Sequence, residues 1–112
     1  MIATAVSQME AVTVADVTID PERFIVRRGA KRITLTKTEF LILYLLMSTH
    51  GRIHARTDIA RYVWGSESIS HPRTIDTHIS NIRKKIGPVK GREIITVIKG
   101  VGYKIDDHIL DS

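Results

Sequence analysis

Residues 72–86 read PRTIDTHISNIRKKI, and the isoleucine spacing within them decides how the rest of the chain is read. Ile75, Ile79, Ile82 and Ile86 recur at intervals of four, three and four. At about 100° per residue these side chains fall within roughly 60° of one another, the buried stripe of an amphipathic helix. Pro72 suits the first helical position, where its missing amide hydrogen is not needed. Gly87-Pro88 ends the run. With the isoleucines inward, rotation places Arg73, Thr77, Ser80, Asn81 and Lys84 within about 50° of the opposite side, with Thr74 beside them. No acid lies on that face. Asp76 and Arg83 border the stripe on one side, His78 and Lys85 on the other.

Upstream, a shorter helix is expected over Arg56–Val63, with Ile59 and Val63 one turn apart and Trp64-Gly65 stopping it. Further back, Thr36-Lys37-Thr38-Glu39 has the form of a capping box, and Leu35 and Phe40 stand where a hydrophobic staple would form. The run from Leu41 to Met47 is apolar nearly all round, which describes a central buried helix ending near His50-Gly51. Tyr44 and Trp64 are read as core fillers. Before Thr36 the pattern is strand-like: Val12–Val14, Val17–Ile19, Phe24–Val26 and Arg32–Leu35. Reversals at Asp20-Pro21-Glu22 and Arg28-Gly29-Ala30 make these an antiparallel meander.

Downstream, Glu93–Ile98 and Val101–Ile105 flank Lys99-Gly100, a hairpin with a basic tip. Gly100 and Gly102 are expected to let its backbone approach a ligand closely. The fold class is therefore α+β: an N-terminal antiparallel sheet, three helices and a C-terminal hairpin, the element order of a winged helix-turn-helix. Residues 1–8 are expected to be a flexible end or linker remnant, 9–107 the domain and 108–112 a tail. The third helix lies at about 72–86 and the wing at about 93–105.

The chain has 112 residues and a net charge of +5, unevenly placed: residues 71–104 hold eight basic residues against Asp76 and Glu93. A basic block of that kind points to a polyanion. Without cysteine, disulfides, thiolate metal sites and thiol nucleophiles are excluded. No apolar run reaches the length of about 18 residues of a membrane span, and no export signal is visible, so a cytoplasmic domain without membrane contact is expected. His50 and His54 straddle Gly51, and His71 and His78 stand two turns apart, so no metal site, catalytic residue or cofactor is expected. Lys99-Gly100-Val101-Gly102 is no phosphate-cradling loop, because no helix follows it.

The outward face of the third helix fits double-stranded DNA. Thr74, Thr77, Ser80 and Asn81 offer the hydroxyl and amide groups that read base edges, and Arg73, His78, Arg83 and Lys84 suit phosphates. Lys99 and Gly100 form the wing contact. Asp76 is odd on such a face and is expected to pair with a nearby basic residue. The alternative is a winged helix used as a protein-interaction module, its exposed face binding an acidic protein.

Several stretches also carry a resemblance, in order along residues 12–105: Leu35–Phe40, Gly51–Arg56, Val63–Gly65, Arg73–Ile79, Ile82–Ile86 and Ile98–Tyr103. Together they resemble the OmpR/PhoB-type output domain of two-component response regulators. The resemblance implies a third helix in the major groove, a wing at the minor groove, and a homodimer of paired protomers on repeated half-sites. It also implies a loop, here Ser66, Glu67, Ser68 and Ile69, that contacts RNA polymerase, and a phosphorylatable receiver domain in a longer parent chain. No receiver lies within these residues, so the chain is expected to be an excised output domain or an independent protein. This chain departs from the family pattern with Ser80 and Asn81 where arginines are common, Lys99 for arginine, Val97 for threonine and Ala55 for serine.

Overall fold

Alternating and helical hydrophobic periods sort this chain into a sheet and a helical layer that share one core. The computed structural model describes residues 10–49, 51–65 and 72–110. Strands β1 (Val12–Val14), β2 (Val17–Asp20), β3 (Ile25–Arg28) and β4 (Lys31–Ile33) form the expected antiparallel meander in that order. Alternation turns Val14, Val17, Ile19 and Val26 into the core and leaves Thr13, Thr18, Arg27 and Arg32 on the other face. The Asp20 carboxylate accepts from the amides of Glu22 and Arg23, fixing one reversal, and Gly29 takes the other at φ +59°. Phe24 is not in a strand as expected. It sits in the turn at φ +58°, its ring stacked on Phe40 with centroids 4.0 Å apart.

Helix α1 (Lys37–Ser48) starts with the expected capping box: Thr36 Oγ1 accepts the Glu39 amide at 3.2 Å, and Glu39 Oε1 accepts the Thr36 amide at 3.0 Å. Its Ile42, Leu43, Leu46 and Met47 are fully buried. Helix α2 (Arg56–Trp64) opens at Ala55, which makes no side-chain cap, forgoing about 1 kcal/mol against a serine. Trp64 is not the core filler expected: it ends α2 and is 38% exposed. Tyr44 is buried, and its hydroxyl donates to the Glu10 carbonyl.

Helix α3 (Pro72–Ile86) buries Ile75, Ile79, Ile82 and Ile86 as its spacing predicts, each contributing about 2 kcal/mol of apolar burial. Its C-terminus is held from the sheet: Arg28 Nη1 donates to the Ile86 carbonyl at 2.9 Å, while Nε pairs with Asp16. A turn at Lys90 and Gly91, both at positive φ, leads into strands β5 (Ile95–Ile98) and β6 (Gly102–Ile105), an antiparallel hairpin shorter than expected. The stretch read as a tail opens instead as a short helix, α4 (Asp107–Leu110), because Ile109 is apolar and enters the core. Among the described residues no helix is long and apolar enough to cross a membrane.

Candidate nucleic-acid interface

The face of α3 opposite its isoleucines is set by the core, because rotating the helix would expose four buried side chains. On it Thr74, Thr77 and Lys84 are exposed, and Ser80 and Asn81 are half-buried. The side chain of Arg73 and the loop residues Ser66, Glu67, Ser68 and Ile69 lie outside the described residues. Lys99 and Gly100 stand exposed at the hairpin tip, with Gly100 at φ +80° in open space. Among the described residues neither Lys84 nor Lys99 has a carboxylate partner.

Two cations beside this face make contacts within the fold. Lys85 reaches back to α1 and pairs with Glu39 at 2.7 Å, a carboxylate only 2% exposed. Burial pushes the Glu39 carboxyl up, but Lys85 and the Thr36 groups outweigh it and hold it below the usual carboxylate range. Arg83, expected as a phosphate contact, turns toward the wing: Nε donates to the Ile95 carbonyl at 3.0 Å, and the guanidinium lies 6.0 Å from the Tyr103 ring centre. His78 packs beside Trp64, ring centroids 6.0 Å apart, and its buried Nδ1 has no hydrogen-bond partner among the described residues.

The wing is fastened to the helices by groups the sequence pattern did not connect. Asp76 Oδ1 accepts from Arg56 Nε of α2 at 2.7 Å and from the Tyr103 hydroxyl of β6 at 2.5 Å. Burial raises the Asp76 carboxyl, but these two donors prevail and hold it below its ordinary range. Tyr103 is pushed up, by burial first and by Asp76 second. The expected structural role of Asp76 is thus met, and its charge is paired at the border of the outer face. A sequence signal for this link did exist: alternation in β6 turns Tyr103 inward with Ile105, and a buried phenol needs a polar partner.

Beyond the hairpin pair, β6 exchanges two backbone hydrogen bonds with His54, each 2.9 Å. This explains Gly102. A Cβ there would run into the His54 carbonyl and lie 2.9 Å from the Ala55 Cα. Gly102 is a glycine for this internal approach, not for a close approach to a ligand. Among the described residues no cluster of metal-ligating side chains is present.

A family model described as "Transcriptional regulatory protein, C terminal" matches residues 30–105. The chain is 35% identical over 98 residues to response regulator ArlR of Staphylococcus aureus, covering 88% of this chain and 45% of that protein. It spans less than half the length of the curated relatives it matches. Among solved structures it is similar to response regulator DrrB, a Thermotoga maritima OmpR/PhoB homologue, with 34% identity and a TM-score of 0.76 over 88% of this chain and 45% of that one. It is similar also to the Klebsiella pneumoniae RstA DNA-binding domain, solved in complex with the RstA box. There the identity is 25% and the TM-score 0.77, over 89% of this chain and all of that one. With the sheet, the three helices and the fastened hairpin in place, the chain belongs to the family of transcriptional regulatory protein C-terminal domains, in its OmpR/PhoB-type winged-helix form.

Proposed function

We propose that this domain binds double-stranded DNA sequence-specifically to regulate transcription, with α3 in the major groove and the β5–β6 wing at the minor groove. The observation that carries the reading is the electrostatic sorting of α3. Its one carboxylate, Asp76, is consumed by Arg56 and Tyr103, so the outward face offers hydroxyls, an amide and cations. Thr74, Thr77, Ser80 and Asn81 read bases in this proposal, while Arg73, His78 and Lys84 meet phosphates and Lys99 and Gly100 supply the wing contact. Arg83 remains part of the phosphate set through the guanidinium nitrogens that Ile95 does not use.

The same reading pairs protomers on repeated half-sites as a homodimer, assigns Ser66, Glu67, Ser68 and Ile69 to RNA polymerase, and couples the domain to a receiver in a longer parent chain. Its setting is the cytoplasm and its role is binding, not catalysis.

The test is a titration of labelled duplex across a salt series, with random duplex as competitor. Log affinity falls linearly with log salt, and Lys84→Ala and Lys99→Glu each weaken binding. Salt-insensitive binding, or binding that random competitor removes completely, overturns the proposal. The latter result would favour a protein-interaction module.

A further inference from the structure

The outer face of the N-terminal sheet carries a feature that DNA binding through α3 and the wing does not use. In the β3–β4 register Arg27 stands directly opposite Arg32, both exposed, and Thr18 faces Arg27 on the other side. Like charges directly across a strand pair destabilise a sheet. No carboxylate among the described residues forms an ion pair with them: the nearest in register, Asp20, accepts through Oδ1 from the backbone amides of its own reversal. Arg23, also exposed, joins Arg27 and Arg32 around a cleft of about 80 Å³ that Thr18, Asp20 and Ile25 also line, so three cations face one carboxylate there.

A second cleft, of about 300 Å³, shares Arg23, Ile25 and Arg32 with the first and is lined also by Phe24, Leu35 and Phe40. Phe24 is 48% exposed and held at φ +58°, an uncommon conformation for a bulky residue, with its ring fixed by the stack on Phe40. Three guanidinium groups without an ion-pair partner among the described residues therefore adjoin a cleft walled in part by Phe24 and Phe40.

We propose that this face is a docking site for an acidic protein segment, whose carboxylates pair with Arg23, Arg27 and Arg32 while one large apolar side chain enters the Phe24–Phe40 cleft. Charge complementarity selects the acid, because planar guanidinium groups bind carboxylates in paired hydrogen bonds. The aromatic wall selects a protein side chain over duplex DNA, whose bases are already stacked within the helix and cannot enter the cleft.

The test titrates the isotope-labelled 112-residue chain with a short peptide of glutamate and aspartate around a central Leu-Phe pair, followed by amide chemical shifts. Shifts concentrate at Thr18, Phe24, Arg27 and Arg32. Affinity falls at least about tenfold in Arg27→Thr and in Arg32→Thr, and also when the Leu-Phe pair is replaced by two serines. Melting temperature in the two arginine variants holds or rises, because a like-charge pair is removed. Shifts centred on Lys84 and Lys99 would overturn the proposal as mere attraction to the basic face, as would unchanged affinity in both arginine variants. Random duplex DNA shifting the sheet face while the peptide leaves it untouched would assign the patch to nucleic acid instead.

Discussion

Tyr103 of the wing donates its hydroxyl to Asp76 of α3 at 2.5 Å, which joins the two elements assigned to DNA side chain to side chain, alongside the bond from Arg83 to the Ile95 carbonyl. Arg56 fixes the same carboxylate oxygen from α2, and its guanidinium also lies 5.5 Å from the Tyr103 ring centre. The wing's position relative to the helix is thus set by a network and not by the hairpin alone.

Tyr103→Phe keeps the ring and removes the bond. Stability is expected to fall by about 1.5 kcal/mol, the range for a hydrogen bond to a charged group. Affinity for specific duplex falls further than that for random duplex, because the wing loses its setting. A urea melt and two titrations check this. Equal losses on both duplexes would show that the bond serves stability only.

Lys85→Met leaves Glu39 buried with its capping bonds but without its cation. The expected cost at neutral pH is about 2 kcal/mol, between exposed and buried ion-pair values. Glu39 is depressed in the folded state, so the stability it supplies is full above the ordinary carboxylate range and is lost as pH falls through its lowered folded value. The gap between wild type and variant is therefore widest at neutral pH and closes as the pH falls through the carboxylate range toward the lowered folded value of Glu39. Urea melts at several pH values report it. A gap that stays constant with pH would mean that Lys85 acts through packing.

Gly100→Ala and Gly102→Ala separate two reasons for a glycine. Gly100 has open space and a left-handed backbone, so alanine there costs about 1 kcal/mol of strain. At Gly102 the new methyl meets the His54 carbonyl, and the hairpin has to move off residues 54–55. Thermal melts are expected to show a loss at least twice as large for Gly102→Ala. A smaller loss there would contradict the packing described for β6.

On α3, base and phosphate roles differ in kind. Asn81→Ala is expected to relax preference at one base position by about 1–3 kcal/mol. Lys84→Ala weakens all sequences alike and flattens the salt slope. Competition with single-base operator variants distinguishes them. If Asn81→Ala weakens specific and random duplex equally, that residue does not read bases.

What the sequence made legible was local. The Thr36–Glu39 capping box, the isoleucine stripe of α3 and the Gly29 reversal each depend on residues a few positions apart, and each formed as read. What stayed hidden was long-range and polar. Glu39 meets Lys85, Arg28 meets the Ile86 carbonyl and Tyr103 meets Asp76 across tens of residues, and no periodicity encodes such pairs. Ring size argues for a buried Trp64, whereas its place at the end of α2 leaves it at the rim. A glycine near a hairpin tip, such as Gly102, looks like access for a ligand, and only the packed His54 backbone reveals its actual neighbour. Arg83 was placed on the right border of α3, but its partner in β5 is not visible from helix geometry.

The central claim is that the outward face of α3 and the wing together read duplex sequence. Selection of bound duplexes from a random pool by this chain, at near-physiological salt, tests it most directly. The account predicts enrichment of one short half-site, repeated at a spacing near one helical turn, with A·T bias where the wing falls. The enrichment vanishes in a variant carrying Asn81→Ala and Lys99→Glu. A bound pool indistinguishable from the starting pool, or the same motif enriched by that variant, would contradict it.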